Sequence, residues 1–153
     1  MKIEGMPGEV TKTGHEQWIE ILSYSWGMHK PGVLDSDQEW KILKALDKSS
    51  PKLFDALQRG SNINSLQIEL VDQTSGIVFM KYTFTNVLIS SMDIGPSILK
   101  EWDASSPKLM NNVRPIEEVS FNFQKIHMTY TPPSATTQGS AEWGWDFLGK
   151  ILN

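Results

Sequence analysis

Histidine is the side chain best suited to move protons or hold a metal near neutral pH, and this chain has three: His15, His29 and His127. They lie far apart, and none has a second ligand at the spacing zinc sites use. His127 falls on the polar side of a strand, which predicts a surface residue. The run DSDQE sets Asp35, Asp37 and Glu39 at alternate positions, as the start of a calcium loop does. Such a loop also needs a glycine at its sixth position and a glutamate at its twelfth. Trp40 and Leu46 stand there instead, so the run reads as a solvated turn. No phosphate loop, G-x-S-x-G elbow or H-E-x-x-H pair occurs, and no two carboxylates stand out as an acid and a base in separated environments. Trp143, Trp145 and Phe147 could stack on a sugar or a peptide. Gly144 and Gly149 equally let a C-terminal strand lay those rings on the core, and we take that second reading. With no cysteine, the chain has no thiol nucleophile, thiolate metal site or disulfide. We therefore assign no catalytic residue, no cofactor and no metal site, and read the protein as not an enzyme.

The elements that position these groups belong to one domain. At 153 residues, with 39% apolar and 21% charged content, residues 1–153 can bury a single core without staples. The formal charge is −4 and no cluster of Lys and Arg appears, so there is no electrostatic case for nucleic acid or anionic lipid. MKIEGMPGEV lacks the apolar region of a cleavable signal, and no window approaches the length of a membrane span. The expectation is a cytoplasmic protein without membrane insertion, exported, if at all, by a route that reads no cleavable signal.

Residues 17–26, QWIEILSYSW, alternate as a strand. Trp18, Glu20, Leu22, Tyr24 and Trp26 share one face, and Ile19, Ile21, Ser23 and Ser25 the other. Large rings gain most from leaving water, so Tyr24 and Trp26 are predicted inside. Residues 36–47 carry both signals: Ser36 and Glu39 form a capping box and helix formers follow, yet Trp40, Ile42, Lys44 and Leu46 alternate equally well. SSPKLFDALQRG is the clearest helix, about residues 50–59, with Ser50 as N-cap, Pro51 at the first position and Gly60 as left-handed cap. Leu53, Phe54 and Leu57 form its apolar face. LQIELV and IVFMKYTFTNVLIS read as strands joined by the hairpin turn DQTSG.

The last long strand loses step. In EVSFNFQKIHMTYT the apolar set is Val119, Phe121 and Phe123, then Ile126, Met128 and Tyr130. A one-residue slip turns every later side chain to the opposite face, so Gln124–Lys125 is predicted to be a bulged corner where the strand passes from one sheet to another. The fold class is mainly β: two packed antiparallel sheets forming a small barrel or sandwich with one main helix.

KIEGMPGEV, GHEQWIEILSYSWG, LDKSSPKLFDALQRG, NVLISS, EEVSFNFQKIHMTY and GWDFLGKILN, in this order over nearly the whole chain, resemble the haemolysin-coregulated protein (Hcp) family, the tube subunits of type VI secretion systems. The resemblance implies a barrel of two sheets flanked by one helix, with 39–47 as a strand. It also implies a homohexameric ring with a continuous β inner wall. Rings stack head to tail into a tube that a contractile sheath expels behind a spike, with small effector proteins carried in the channel. On that model Ser23 and Ser25 line the channel. Family members often carry Gly where this chain has Gln124. Two other functions fit parts of the sequence: a phage-type tail-tube subunit, and a monomeric ligand-binding or hydrolytic β-barrel using the Trp-rich C-terminus.

Overall fold

The computed structural model describes residues 1–27, 39–95, 114–132, 139–149 and 151–152. His29, Asp35, Asp37 and most of the 95–115 connection lie outside them. The described chain forms β1 (Lys2–Ile3), β2 (Ser23–Ser25), β3 (Trp40–Ala45), α1 (Ser50–Arg59), β4 (Ile63–Val71), β5 (Val78–Gly95), β6 (Ile116–Tyr130), β7 (Ala141–Asp146) and β8 (Ile151–Leu152). Strand order is β1-β4-β5-β6-β3-β2, with β7 added to β6 and β8 to β7. Every pairing is antiparallel. β6 uses one edge twice, Ile116–Phe121 for β3 and Lys125–Tyr130 for β7. Its other edge follows β5 throughout. The two expected sheets are therefore halves of one continuous sheet that bends across β5 and β6. Among the described residues it stays open, because β1 and β2 end the path and do not pair with each other.

The bend falls where the parity slips. Val119, Phe121, Phe123 and then Ile126 are buried, and β5 makes the same change from Tyr82 and Phe84 to Val87 and Ile89. The register between the strands does not shift there: the pairs from Met80↔Tyr130 to Ile89↔Phe121 share one offset. The corner is thus a kink taken by both strands together and not, as the sequence suggested, a bulge in β6. Asn86 takes φ 53° and donates from Nδ2 to Gln124 Oε1 at 2.6 Å. Asparagine tolerates left-handed backbone better than other side chains do. The left-handed residue is on β5, so Gln124 needs no positive φ. The register shift in β5 comes later, between Ile89 and Ser91.

Tertiary packing also settles the other segments. In β3, Trp40, Ile42 and Lys44 are buried while Lys41 is exposed, so strand pairing outweighs the local helix signal. Trp40 packs edge-on against Tyr82 and Phe84, each at 4.9 Å between centroids, which joins the two halves of the sheet across the core. Within 17–26 only Ser23–Ser25 is strand. Gln17 turns the chain at φ 63°, and the segment behind it bonds to the N-terminal residues: Gly8 N–H to Gln17 O at 2.7 Å and Ile19 N–H to Met1 O at 2.7 Å. Trp26 packs on the core as predicted, but Tyr24 stays 37% exposed, lying flat on Trp40 at 5.3 Å.

The helix closes one end of the core. Gly60 adopts φ 59°, ψ 35°, and Gly60 N–H and Ser61 N–H bond to Leu57 O and Ala56 O, the expected left-handed cap. The N-cap is Ser49, not Ser50. Leu53 and Ala56 form the buried stripe, whereas Leu57, predicted in the core, lies half-buried at its margin.

Candidate functional site

Among the described residues, no three His, Cys, Asp or Glu side chains gather to hold a metal ion, and no helix is long and apolar enough to cross a membrane. His15 Nε2 lies 2.7 Å from Glu69 Oε2 and meets Trp18 edge-on at 4.6 Å, which fastens the 11–18 loop to β4. His15 and Glu69 are 54 residues apart, so no local pattern could join them. His127 is 3.9 Å from Glu142 on the outer surface. Trp143, Trp145 and Phe147 pack against the core, with Phe147 5.6 Å from Phe123; they do not present a free aromatic platform.

A second polar group is internal. Lys44 Nζ, on the core side of β3, reaches Glu117 Oε2 at 2.6 Å, Ser50 Oγ at 3.0 Å, Ala45 O at 2.8 Å and Asp47 Oδ1 at 2.9 Å. Ser50 Oγ also donates to Glu117 Oε2 at 2.7 Å. Lys44 and Glu117 are wholly buried. Burial pushes the Asp47 carboxyl up, but hydrogen bonds from Ser49 and Lys44 outweigh it and hold it below the ordinary range. These groups tie β3, β6 and the start of α1 together. Beside them a cleft of about 320 Å³ is lined by Glu9, Val10, Glu20, Leu22, Ala45, Asp47 and Arg114. Its one guanidinium is committed to Glu9 at 2.6 Å.

The feature that could meet another molecule is the outer face of β2, β3, β6 and the end of β5. Ser23 and Ser25 are both exposed there, opposite Leu43 and Lys41 in register. The rows continue across the sheet as Lys41, Ser120, Ser91 and as Leu43, Glu118, Asp93. β2 lies at the end of the strand path, so among the described residues its far edge has no partner strand. Sequence alternation found Ser23 and Ser25. The neighbours supplied by β5 and β6 come from about 70 and 95 residues further along the chain, which only the folded register reveals.

This is a mainly β protein whose prominent outward feature, among the described residues, is an open sheet face. The chain belongs to the Hcp family of type VI secretion proteins: the family model described as type VI secretion system effector, Hcp, matches residues 1–130. The fold agrees with solved structures. A type VI secretion system effector from Yersinia pestis is 23% identical, with TM-score 0.75 over 95% of this chain and 96% of that one. Hcp1 from Salmonella typhimurium is 23% identical, with TM-score 0.78 over 99% and 95%. Secreted protein Hcp3 from Pseudomonas aeruginosa is 19% identical, with TM-score 0.65 over 89% and 78%. No curated protein sequence matches the chain.

Proposed function

We propose that the chain is a structural subunit of the type VI inner tube, six copies closing into a ring and rings stacking head to tail. The subunit waits in the cytoplasm and is expelled with the tube by the sheath, behind the spike. Effector proteins travel in the channel, whose wall includes Ser23 and Ser25. The observation that carries this reading is the edge of β2, unpaired among the described residues, beside a largely polar sheet face. An unpaired strand edge is a template for a neighbouring chain, and a heterologous contact of that kind closes into a ring when its rotation allows. Small hydroxyls on the wall suit passing contact with varied cargo, since tight binding would oppose release.

Native mass spectrometry of the full chain at high concentration should give a hexamer. A strictly monomeric species removes the ring. Ser25 is exposed, so Ser25→Trp should leave fold and ring intact while filling channel space, and effector co-purification should fall. Unchanged co-purification, or loss of the ring, would withdraw the channel assignment from Ser25.

A further inference from the structure

The chain has three tyrosines, Tyr24, Tyr82 and Tyr130, and the fold brings two of them together. Tyr24 on β2 and Tyr82 on β5 are 58 residues apart in sequence, yet their hydroxyl oxygens lie 3.5 Å apart and their ring centroids 6.0 Å apart. β2 and β5 are not neighbours in the sheet, so side chains alone make this contact. Both rings are held against one indole. Tyr24 lies on Trp40 at 5.3 Å and 10° from parallel, and Tyr82 meets Trp40 edge-on at 4.9 Å. Trp40 is itself wholly buried and stacks on Trp26 at 5.3 Å. The two phenols differ in access: Tyr24 is 37% exposed and Tyr82 only 7%. Burial first, and then the Tyr24 hydroxyl, raise Tyr82 above the ordinary phenol range. It therefore stays a neutral phenol and can be oxidised only by giving up its proton along with an electron.

We propose that Tyr24 and Tyr82 form an oxidative modification site, at which a peroxide-fed one-electron oxidant joins them as dityrosine within one subunit. The oxidant takes an electron from exposed Tyr24, and the phenolic proton passes to water. Tyr82 then gives a hydrogen atom to the Tyr24 oxygen across the gap between the hydroxyls. A second oxidation renews the Tyr24 radical. The two radicals pair through ring carbons ortho to the hydroxyls, and the hydrogens displaced from those carbons return to the oxygens. In sum, two phenols and one hydrogen peroxide give one carbon–carbon bond and two waters. Because the fold already holds the partners, coupling within the molecule outruns coupling between molecules. The bond ties β2, at the end of the strand path, to β5 near the middle of the sheet. It stands on the single subunit and needs no ring.

The test treats the full chain in dilute solution with a haem peroxidase and hydrogen peroxide, then separates single chains from cross-linked ones on a denaturing gel. The single-chain band should gain dityrosine fluorescence and lose the mass of two hydrogen atoms. After proteolysis it should yield a linked peptide pair containing Tyr24 and Tyr82. The yield in that band should not change with protein concentration, as an intramolecular step requires. Tyr24→Phe and Tyr82→Phe should each abolish the signal. Tyr130→Phe should keep it, because Tyr130, 43% exposed, stands outside the pair. Phenylalanine keeps each ring in place, and circular dichroism before oxidation checks that the variants fold. The mapped linkage in the parent chain decides the matter even where a variant does not. A single-chain band without dityrosine, a bond mapped to Tyr130, a signal that survives Tyr24→Phe, or coupling found only between chains overturns the proposal. Native mass spectrometry reports the ring separately, so a hexamer without the bond refutes only this site, and a monomer with it refutes only the ring.

Discussion

Lys44 is a cation with no exposure at all, so its replacement tests the packing logic severely. In the native protein it meets four oxygens, from Glu117, Ser50, Asp47 and Ala45, at 2.6 to 3.0 Å. Lys44→Met removes the charge and nearly preserves the volume. It leaves the Glu117 carboxylate buried with Ser50 as its remaining donor, while Glu117 Oε1 is already unpartnered. Removing one member of a buried pair costs about 3–5 kcal/mol. Glu117→Gln retains shape and hydrogen-bonding capacity and should cost less, about 1–3 kcal/mol. The double replacement Lys44→Met with Glu117→Met removes both charges. Such apolar substitution of a whole pair is often neutral or stabilising, and Asp47 keeps its bonds from Ser49. The double variant should therefore be at least about 2 kcal/mol more stable than Lys44→Met alone. The assay is urea denaturation followed by circular dichroism at one fixed protein concentration, because assembly shifts apparent stability. Midpoints are compared at unchanged slope. If Lys44→Met unfolds at the parental midpoint, or the double variant is no better than the worse single one, the pair does not couple as argued.

Other expectations are as direct. A Cβ at Gly8 would meet Trp18 O at 2.2 Å and Ile19 Cα at 2.5 Å, both backbone atoms; Gly8→Ala should cost about 1–3 kcal/mol by overpacking, and a parental melting temperature would contradict that close approach. Leu53→Ala should cost about 2–5 kcal/mol and Leu57→Ala clearly less, because only Leu53 is fully buried; the reverse order in a thermal melt would place the helix rotated about its axis. Gly60→Val should cost about 1–2 kcal/mol at its left-handed φ, a value read from the shift in denaturation midpoint. The Lys125 ammonium, 2.9 Å away, together with the Gly149 N–H, holds Asp146 down at about 2. A depressed carboxyl stabilises the fold above its ordinary unfolded value, about 3.9, and that contribution is lost as pH falls through 2. Asp146→Asn should flatten the parental loss of stability across this interval, and midpoints that fall equally steeply in both would refute the assignment.

Some of this structure was legible in the sequence because its causes are local. Pro51 and Gly60 bound a helix by backbone chemistry that needs no partner, and Asp72 to Gly76 makes its turn from its own side chains: Asp72 Oδ1 accepts from Thr74 N–H and Ser75 N–H. The parity slip after Phe123 announced a corner, since alternation belongs to one strand alone. The combined motifs also carried the family. The kind of corner was not legible, because the positive φ that allows it sits on Asn86 of the neighbouring strand. Nor was β3 legible from local signals: Trp40 to Ala45 satisfies helix and strand patterns alike, and pairing with β6 together with burial of Trp40 among Tyr82, Phe84 and Phe121 decides between them. Leu57 and Tyr24 were assigned to the core by side-chain type, and their positions depend on how the helix is rotated and on which rings lie beneath. The candidate face divides the same way. Alternation put Ser23 and Ser25 on one side of a strand, but their acidic neighbours come from strands distant in sequence. Register between distant strands is set by the burial of whole faces, and no local window contains that information.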